Sequence, residues 1–195
     1  MNVGLFGGTF NPPTLAHQAI AQAAWRELDL DVLLIMPNNK APHKHIERDP
    51  GPEARLELCQ AFCQGTAWQA IDWEIRRTGP SYTVDSLKEL HRAYPASNIW
   101  FVCGADTLNT MDSWHEAHLL PELAKIAVAP RQDEEIPQTH ILGLTFRVLP
   151  VTYDMSLSST YVRNLIYHGH NPAASLPAAV NKLIEENGYY QPVLP

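Results

Sequence analysis

Apolar residues along this chain fall in short runs of strand length, separated by amphipathic stretches of helix length. Residues 3–6 form the first run, which ends at Gly7-Gly8, and an Ala-rich amphipathic stretch follows over about 15–28. A second run at 32–36 is stopped by Pro37. Strand, glycine turn, helix and strand make a β-α-β unit, which implies a parallel pair joined by a right-handed crossover. Further strands are predicted at 69–75, 99–103, 125–129 and 145–149, and helices at about 53–64, 83–93, 159–167 and 178–187. The run at 99–103 is apolar throughout, as expected of a central strand buried on both faces. This alternation predicts an α/β fold with a doubly wound parallel sheet, Rossmann-like, as a single domain over 1–195 with 158–190 as a small C-terminal helical part.

Between the second strand and the next helix lies PNNKAPHKHIERDPGP, residues 37–52, with four prolines and no periodicity. A loop of this length at the C-terminal end of a strand lies where open α/β sheets bind ligands.

The formal net charge of -7 argues against broad nucleic-acid binding, which relies on many Lys and Arg contacts to phosphate. Any anionic ligand must therefore be met locally. No apolar stretch approaches the roughly 20 residues that span a bilayer, and the sequence opens on a strand-like segment rather than a leader, so a cytoplasmic protein without membrane partners is expected. Cys59, Cys63 and Cys103 lack zinc-site spacing, and Cys59 and Cys63 share a helical face as small apolar residues do. The H-x-H pairs 43/45 and 168/170 have no third ligand nearby, so no protein-bound metal is expected.

The first strand leads into neither G-x-G-x-x-G nor G-x-x-x-x-G-K-[ST]. It leads instead into GGTFNPPTLAH, residues 7–17. The glycines permit close backbone approach to a ligand, and the helix entered near 14–16 aims free N–H groups and its positive dipole end at that place. Thr14 and His17, three apart, share a helical face, so a hydroxyl and an imidazole are expected to face the same phosphates.

This segment resembles the GGTFDP…(H/T)-x-G-H signature of the nucleotidyltransferase superfamily, and Ser158-Ser159-Thr160-Tyr161-Val162-Arg163 resembles its second signature, I-S-S-T-x-x-R. PNNKAPHK (37–44), GPSYT (79–83), GADTL (104–108) and Trp114 are similar, in order, to segments of bacterial nicotinate mononucleotide adenylyltransferases. The resemblance implies adenylyl transfer from ATP to nicotinate mononucleotide, with Mg2+ carried in on the nucleotide. It implies catalytic roles for His17, Thr14, Lys44 and Arg163. It places Gly7, Gly8, Thr9, Phe10, His17, Gly104, Ser158, Ser159 and Arg163 on ATP, and Asn39, His43, Lys44, Thr83, Asp106, Trp114 and His115 on the acceptor. The tryptophan would stack on the pyridine ring, and backbone donors near Thr83 and His115 would hold its carboxylate.

Two positions depart from the pattern: Ala16 stands for the motif glycine and Asn11 for the motif aspartate. Two other readings stay open on the residues alone. One is an adenylyltransferase acting on nicotinamide mononucleotide or phosphopantetheine, and the other is a non-catalytic nucleotide sensor, for which Ala16 is the argument. Oligomeric state is not readable.

Overall fold

The structure is a computed structural model, described here over residues 1–39, 48–130, 139–151 and 157–192. Among these, six strands form one parallel sheet: β1 (Asn2–Gly8), β2 (Val32–Pro37), β3 (Gln69–Ala70), β4 (Asn98–Gly104), β5 (Lys125–Ala129) and β6 (Phe146–Val148), in the order β3-β2-β1-β4-β5-β6. The strands alternate their side chains between two apolar layers. Phe6, Leu33, Ile35 and Val102 enter one core, and Leu5, Leu34, Met36, Phe101 and Cys103 enter the other. Both faces are covered, which is why the strands read as continuous apolar runs.

The first layer is packed by α1 (Leu15–Glu27), α2 (Pro52–Cys63), α7 (Ser159–Tyr167) and α8 (Ala178–Asn187); the second by α4 (Thr83–Ala93), α5 (Ala105–Leu108) and α6 (Leu120–Leu123). On α1 the stripe Ala16, Ile20, Ala21, Ala24 is buried, the spacing of one helical face. Gly51, at φ 103°, turns the chain into α2, whose first residue is Pro52. Val162, Ile166, Val180 and Ile184 join the cluster of Ile20, Leu33 and Leu58, so the C-terminal helices share the core of the sheet. No helix among the described residues is long and apolar enough to cross a membrane.

One predicted element is different. The strand expected over 69–75 pairs only at Gln69 and Ala70, beside Leu34 and Ile35 of β2. The chain then turns through Asp72 into a single helical turn, α3 (Trp73–Arg76). The alternation Ile71, Trp73, Ile75 imitates a strand, but Glu74 between them is buried rather than solvent-facing.

Candidate active site

On either side of the boundary between β1 and β4 the sheet is built outward in opposite directions, and a crevice opens there at the C-terminal ends of the strands. It is a cleft of about 610 Å³. Gly7 and Gly8 end β1 at its floor and Gly104 ends β4 beside them. A Cβ on Gly7 would lie 3.2 Å from the Phe101 ring, and one on Gly8 would lie 3.1 Å from the Phe10 ring. The glycines are thus needed for space as well: they let aromatic rings close down on the strand end.

Two helix N-termini face one half of the cleft. Ala16 and His17 of α1 line it, as do Ser158, Ser159, Thr160 and Arg163 around the start of α7. The first N–H groups of each helix have no intrahelical acceptor and suit an anion. His17 is held from behind. Its Nδ1 lies 3.1 Å from the backbone nitrogen of Thr14 and 2.9 Å from the Thr14 hydroxyl. The backbone N–H can only donate, so Nδ1 is an acceptor and the neutral ring carries its proton on Nε2. The ring packs beside Phe6 and Phe10, at centroid distances of 6.0 and 5.2 Å. Thr14 itself is fully buried and does not line the cleft, contrary to the expectation that its hydroxyl and the imidazole face the same phosphates. The hydroxyl is turned to the ring instead, because Thr14 is the N-cap and His17 sits at the position where a capping box closes.

The start of α7 is tied to the loop after β1. Ser159 Oγ donates to the Pro12 carbonyl at 2.8 Å, Arg163 Nη1 donates to the Asn11 carbonyl at 2.8 Å, and Ser158 Oγ caps the helix by accepting from Tyr161 N–H at 3.2 Å. The two signature segments are thereby locked into one wall. Among the described residues lining the cleft, Arg163 is the one permanent cation. Thr9 and Phe10 also line it, while His43 and Lys44 lie outside the described residues.

The other half of the cleft is aromatic. Trp114 meets Phe101 edge to face at 6.0 Å, and Tyr82 stacks on His115 at 4.3 Å. Thr83 at the start of α4 and Asp106 at the start of α5 complete this half. Asp106 accepts from the N–H of Thr107 at 3.0 Å. Asn39 does not line the cleft. Its side-chain amide donates to the carbonyls of Ile75 and Arg77 at 3.5 and 3.3 Å, and its neighbour Asn38 faces the cleft instead.

Two polar residues that sequence reasoning passed over organise this region. Arg55 is fully buried on α2 and donates to the carbonyls of Thr9, Asn38 and Asn39 at 3.0, 2.7 and 3.1 Å and to Asp49 Oδ1 at 3.0 Å. It joins the loops after β1 and β2. The available signal was its place on the apolar stripe Ala54, Arg55, Leu58, Cys59, Phe62. Glu74 is buried at the edge of the cleft. Its Oε1 accepts from Ser86 Oγ at 2.8 Å, and the Ser81 hydroxyl lies close beside it. Burial pushes its carboxyl up; the two hydroxyls and nearby Arg77 oppose that rise, and Asp85 adds to it.

Burial also pushes up all three thiols, Cys63 to about 12, so none is a nucleophile at neutral pH. Among the described residues no group of three His, Cys, Asp or Glu is gathered that could hold a metal ion.

The cytidylyltransferase-like family matches residues 5–165 of this chain. A probable nicotinate-nucleotide adenylyltransferase of Shewanella sp. (strain MR-7) is 34% identical, over 97% of this chain and 100% of that protein. A probable nicotinate-nucleotide adenylyltransferase of Thermomicrobium roseum is 33% identical, over 98% of this chain and 92% of that protein. Among solved structures, the Plasmodium falciparum nicotinic acid mononucleotide adenylyltransferase complexed with NaAD has the same fold: TM-score 0.79 at 16% identity, over 97% of each chain.

Proposed function

This chain belongs to the cytidylyltransferase-like family and, within it, to the nicotinate-nucleotide adenylyltransferases, and from that premise we propose that it joins the adenylyl group of ATP to nicotinate mononucleotide. The products are nicotinate adenine dinucleotide and pyrophosphate, in the synthesis of NAD. The observation that carries the reading is the two-part cleft, in which a half with two helix N-termini, His17 and Arg163 opens into a half walled by Trp114, Tyr82 and His115. A triphosphate suits the first half. A pyridine ring suits the second, since it stacks on an aromatic face and its carboxylate takes N–H donors.

In this reading an oxygen of the acceptor phosphate attacks the α-phosphorus of ATP in line. The new P–O bond forms as the bond to pyrophosphate breaks. The acceptor is already an anion at neutral pH, so the protein positions the reactants and stabilises charge rather than removing a proton. His17 donates from Nε2 to the α-phosphate as charge builds there. Thr14 acts on that step by orienting the ring. Arg163 offsets phosphate charge from the α7 side, with Ser158, Ser159, Thr9 and Phe10 around the nucleotide and Gly7, Gly8 and Gly104 leaving it room. Lys44 and His43 are assigned to the phosphates on sequence alone. Thr83, Asp106, Trp114 and His115 take the acceptor, and Asn39 acts on it through the loop it braces.

Mg2+ belongs to the same proposal, carried in on ATP. Phosphate oxygens supply most ligands of such an ion, which fits a donor set of hydroxyls with Asp106 rather than a protein-built cage. When bound it offsets the charge of the departing pyrophosphate. A cytoplasmic location, where ATP is at hand, completes the proposal.

The test is pyrophosphate release from ATP and Mg2+ with nicotinate mononucleotide, nicotinamide mononucleotide and phosphopantetheine as acceptors. Preference for the first is expected. Preference for another acceptor removes the nicotinate half of the reading, and silence with all three makes Ala16, on the cleft wall, the mark of a nucleotide sensor.

A further inference from the structure

Glu74 is 5% exposed, carries a carboxyl group, and lies at the edge of the aromatic half of the cleft. Its surroundings form a short relay of hydrogen bonds across three segments. The backbone N–H of Asn39, just beyond β2, donates to Ser81 Oγ at 3.2 Å. Ser81 lies beside Glu74, and Ser86 Oγ donates to Glu74 Oε1 at 2.8 Å from α4. Arg77 Nη1 donates to Ser86 Oγ at 3.3 Å and closes the relay. Ser86 thus accepts from Arg77 and gives its proton to Glu74, while Ser81 accepts from Asn39 N–H beside the same carboxyl group.

Ser81 and Ser86 bracket Tyr82 and Thr83, which line the cleft. The turn that presents these two residues is thus held at both ends around one carboxyl group, by the Ser86 bond to Glu74 on one side and by Ser81, bonded to Asn39 N–H beside it, on the other. We propose that Glu74 is a positioning residue for the acceptor site, fixing the turn before α4 so that Tyr82 and Thr83 meet the pyridine end of the acceptor. The ATP half has its own ties, Ser159 to Pro12 and Arg163 to Asn11, and none of them passes through Glu74. Loss of the anchor therefore separates the two substrates. The proposal rests on the acceptor half of the functional reading above.

The test is steady-state kinetics of Glu74→Ala, Glu74→Gln and Ser86→Ala beside the wild type, varying each substrate in turn. Losing a buried hydrogen-bond anchor costs about 10-fold in the constant it controls. Glu74→Ala is expected to raise the acceptor KM by about 10-fold while the ATP KM moves less than about 2-fold. Glu74→Gln, which can accept from one hydroxyl and donate to the other, should recover most of that loss. Ser86 is fully buried and does not line the cleft, so it reaches the acceptor only through what it holds. Ser86→Ala should shift the same constant in the same direction, and it keeps the test decisive if Glu74→Ala does not fold. Equal rises in both KM values, or an unchanged acceptor KM in Glu74→Ala and Ser86→Ala, would overturn the proposal. Failure of the functional reading shows separately, in the wild type: if another acceptor is turned over, the same split is measured with that acceptor.

Discussion

The backbone nitrogen of Thr14 lies 3.1 Å from His17 Nδ1, a contact that fixes which ring nitrogen carries the proton. The residue that caps α1 thereby prepares the imidazole at its third position to donate into the cleft. Because the main chain makes this contact, it survives most substitutions at Thr14.

His17→Ala should accordingly lower kcat by about 100- to 1000-fold, the usual cost of one charge-stabilising donor. Thr14→Val keeps the N–H and loses only the hydroxyl, so its kcat should fall by about 10-fold or less. Pyrophosphate release under saturating substrates measures both. A Thr14→Val enzyme as slow as His17→Ala would mean that the hydroxyl acts on substrate directly.

Trp114→Ala should raise the acceptor KM by about 10- to 100-fold, the value of one ring stacked on an aromatic side chain. The ATP KM should stay where it is, and Trp114→Phe should fall between. A parallel rise in both constants would instead mark Trp114 as a support of Phe101, its edge-to-face neighbour in the core.

Arg55→Met removes a buried guanidinium and leaves the carbonyls of Thr9, Asn38 and Asn39 without this donor, while Asp49 keeps the Gly51 N–H. The expected loss is about 3 kcal/mol or more of folding stability, because the groups left behind stay desolvated. Urea unfolding checks it, with a lower midpoint and an unchanged slope. A loss below about 1 kcal/mol would show that water replaces the guanidinium at little cost.

The carboxyl of Glu74 is raised by burial above its ordinary value of 4.5, so over the interval above 4.5 the folded protein holds a proton that the unfolded chain has released. The contribution of this group is fully present below 4.5 and is lost as pH rises through the raised value. Glu74→Gln has no such loss. Its melting temperature relative to wild type should therefore climb as pH is raised from 4 toward 7, and a flat or falling difference would contradict the direction of the shift.

The β1-α1-β2 unit, β4 and β5 were legible in the sequence because burial on both faces writes itself as an unbroken apolar run. The strand at 69–75 was misread because Ile71, Trp73 and Ile75 alternate as a strand does, while the decisive fact, a buried carboxylate between them, has no periodic signature. Arg55 escaped for the same reason: one polar residue on an apolar stripe looks like an interruption until its three carbonyl partners, from two separate loops, are seen together. The cleft residues were legible through their motifs, which gave positions and not orientations. Thr14 and Asn39, expected as a catalytic and an acceptor-binding residue, stand beside the cleft without lining it, because what each side chain touches depends on a cap and on a helix end that the motif does not encode.

The bonds from Ser159 to Pro12 and from Arg163 to Asn11 span 147 and 152 positions of chain. Every strand among the described residues is finished by Val148. A chain that stops before α7 therefore contains every one of these strands and lacks half of the wall that the two bonds join. Such a chain also lacks Val162, Ile166, Val180 and Ile184, so the same C-terminal helices that finish the wall finish the core, and neither is complete without the other.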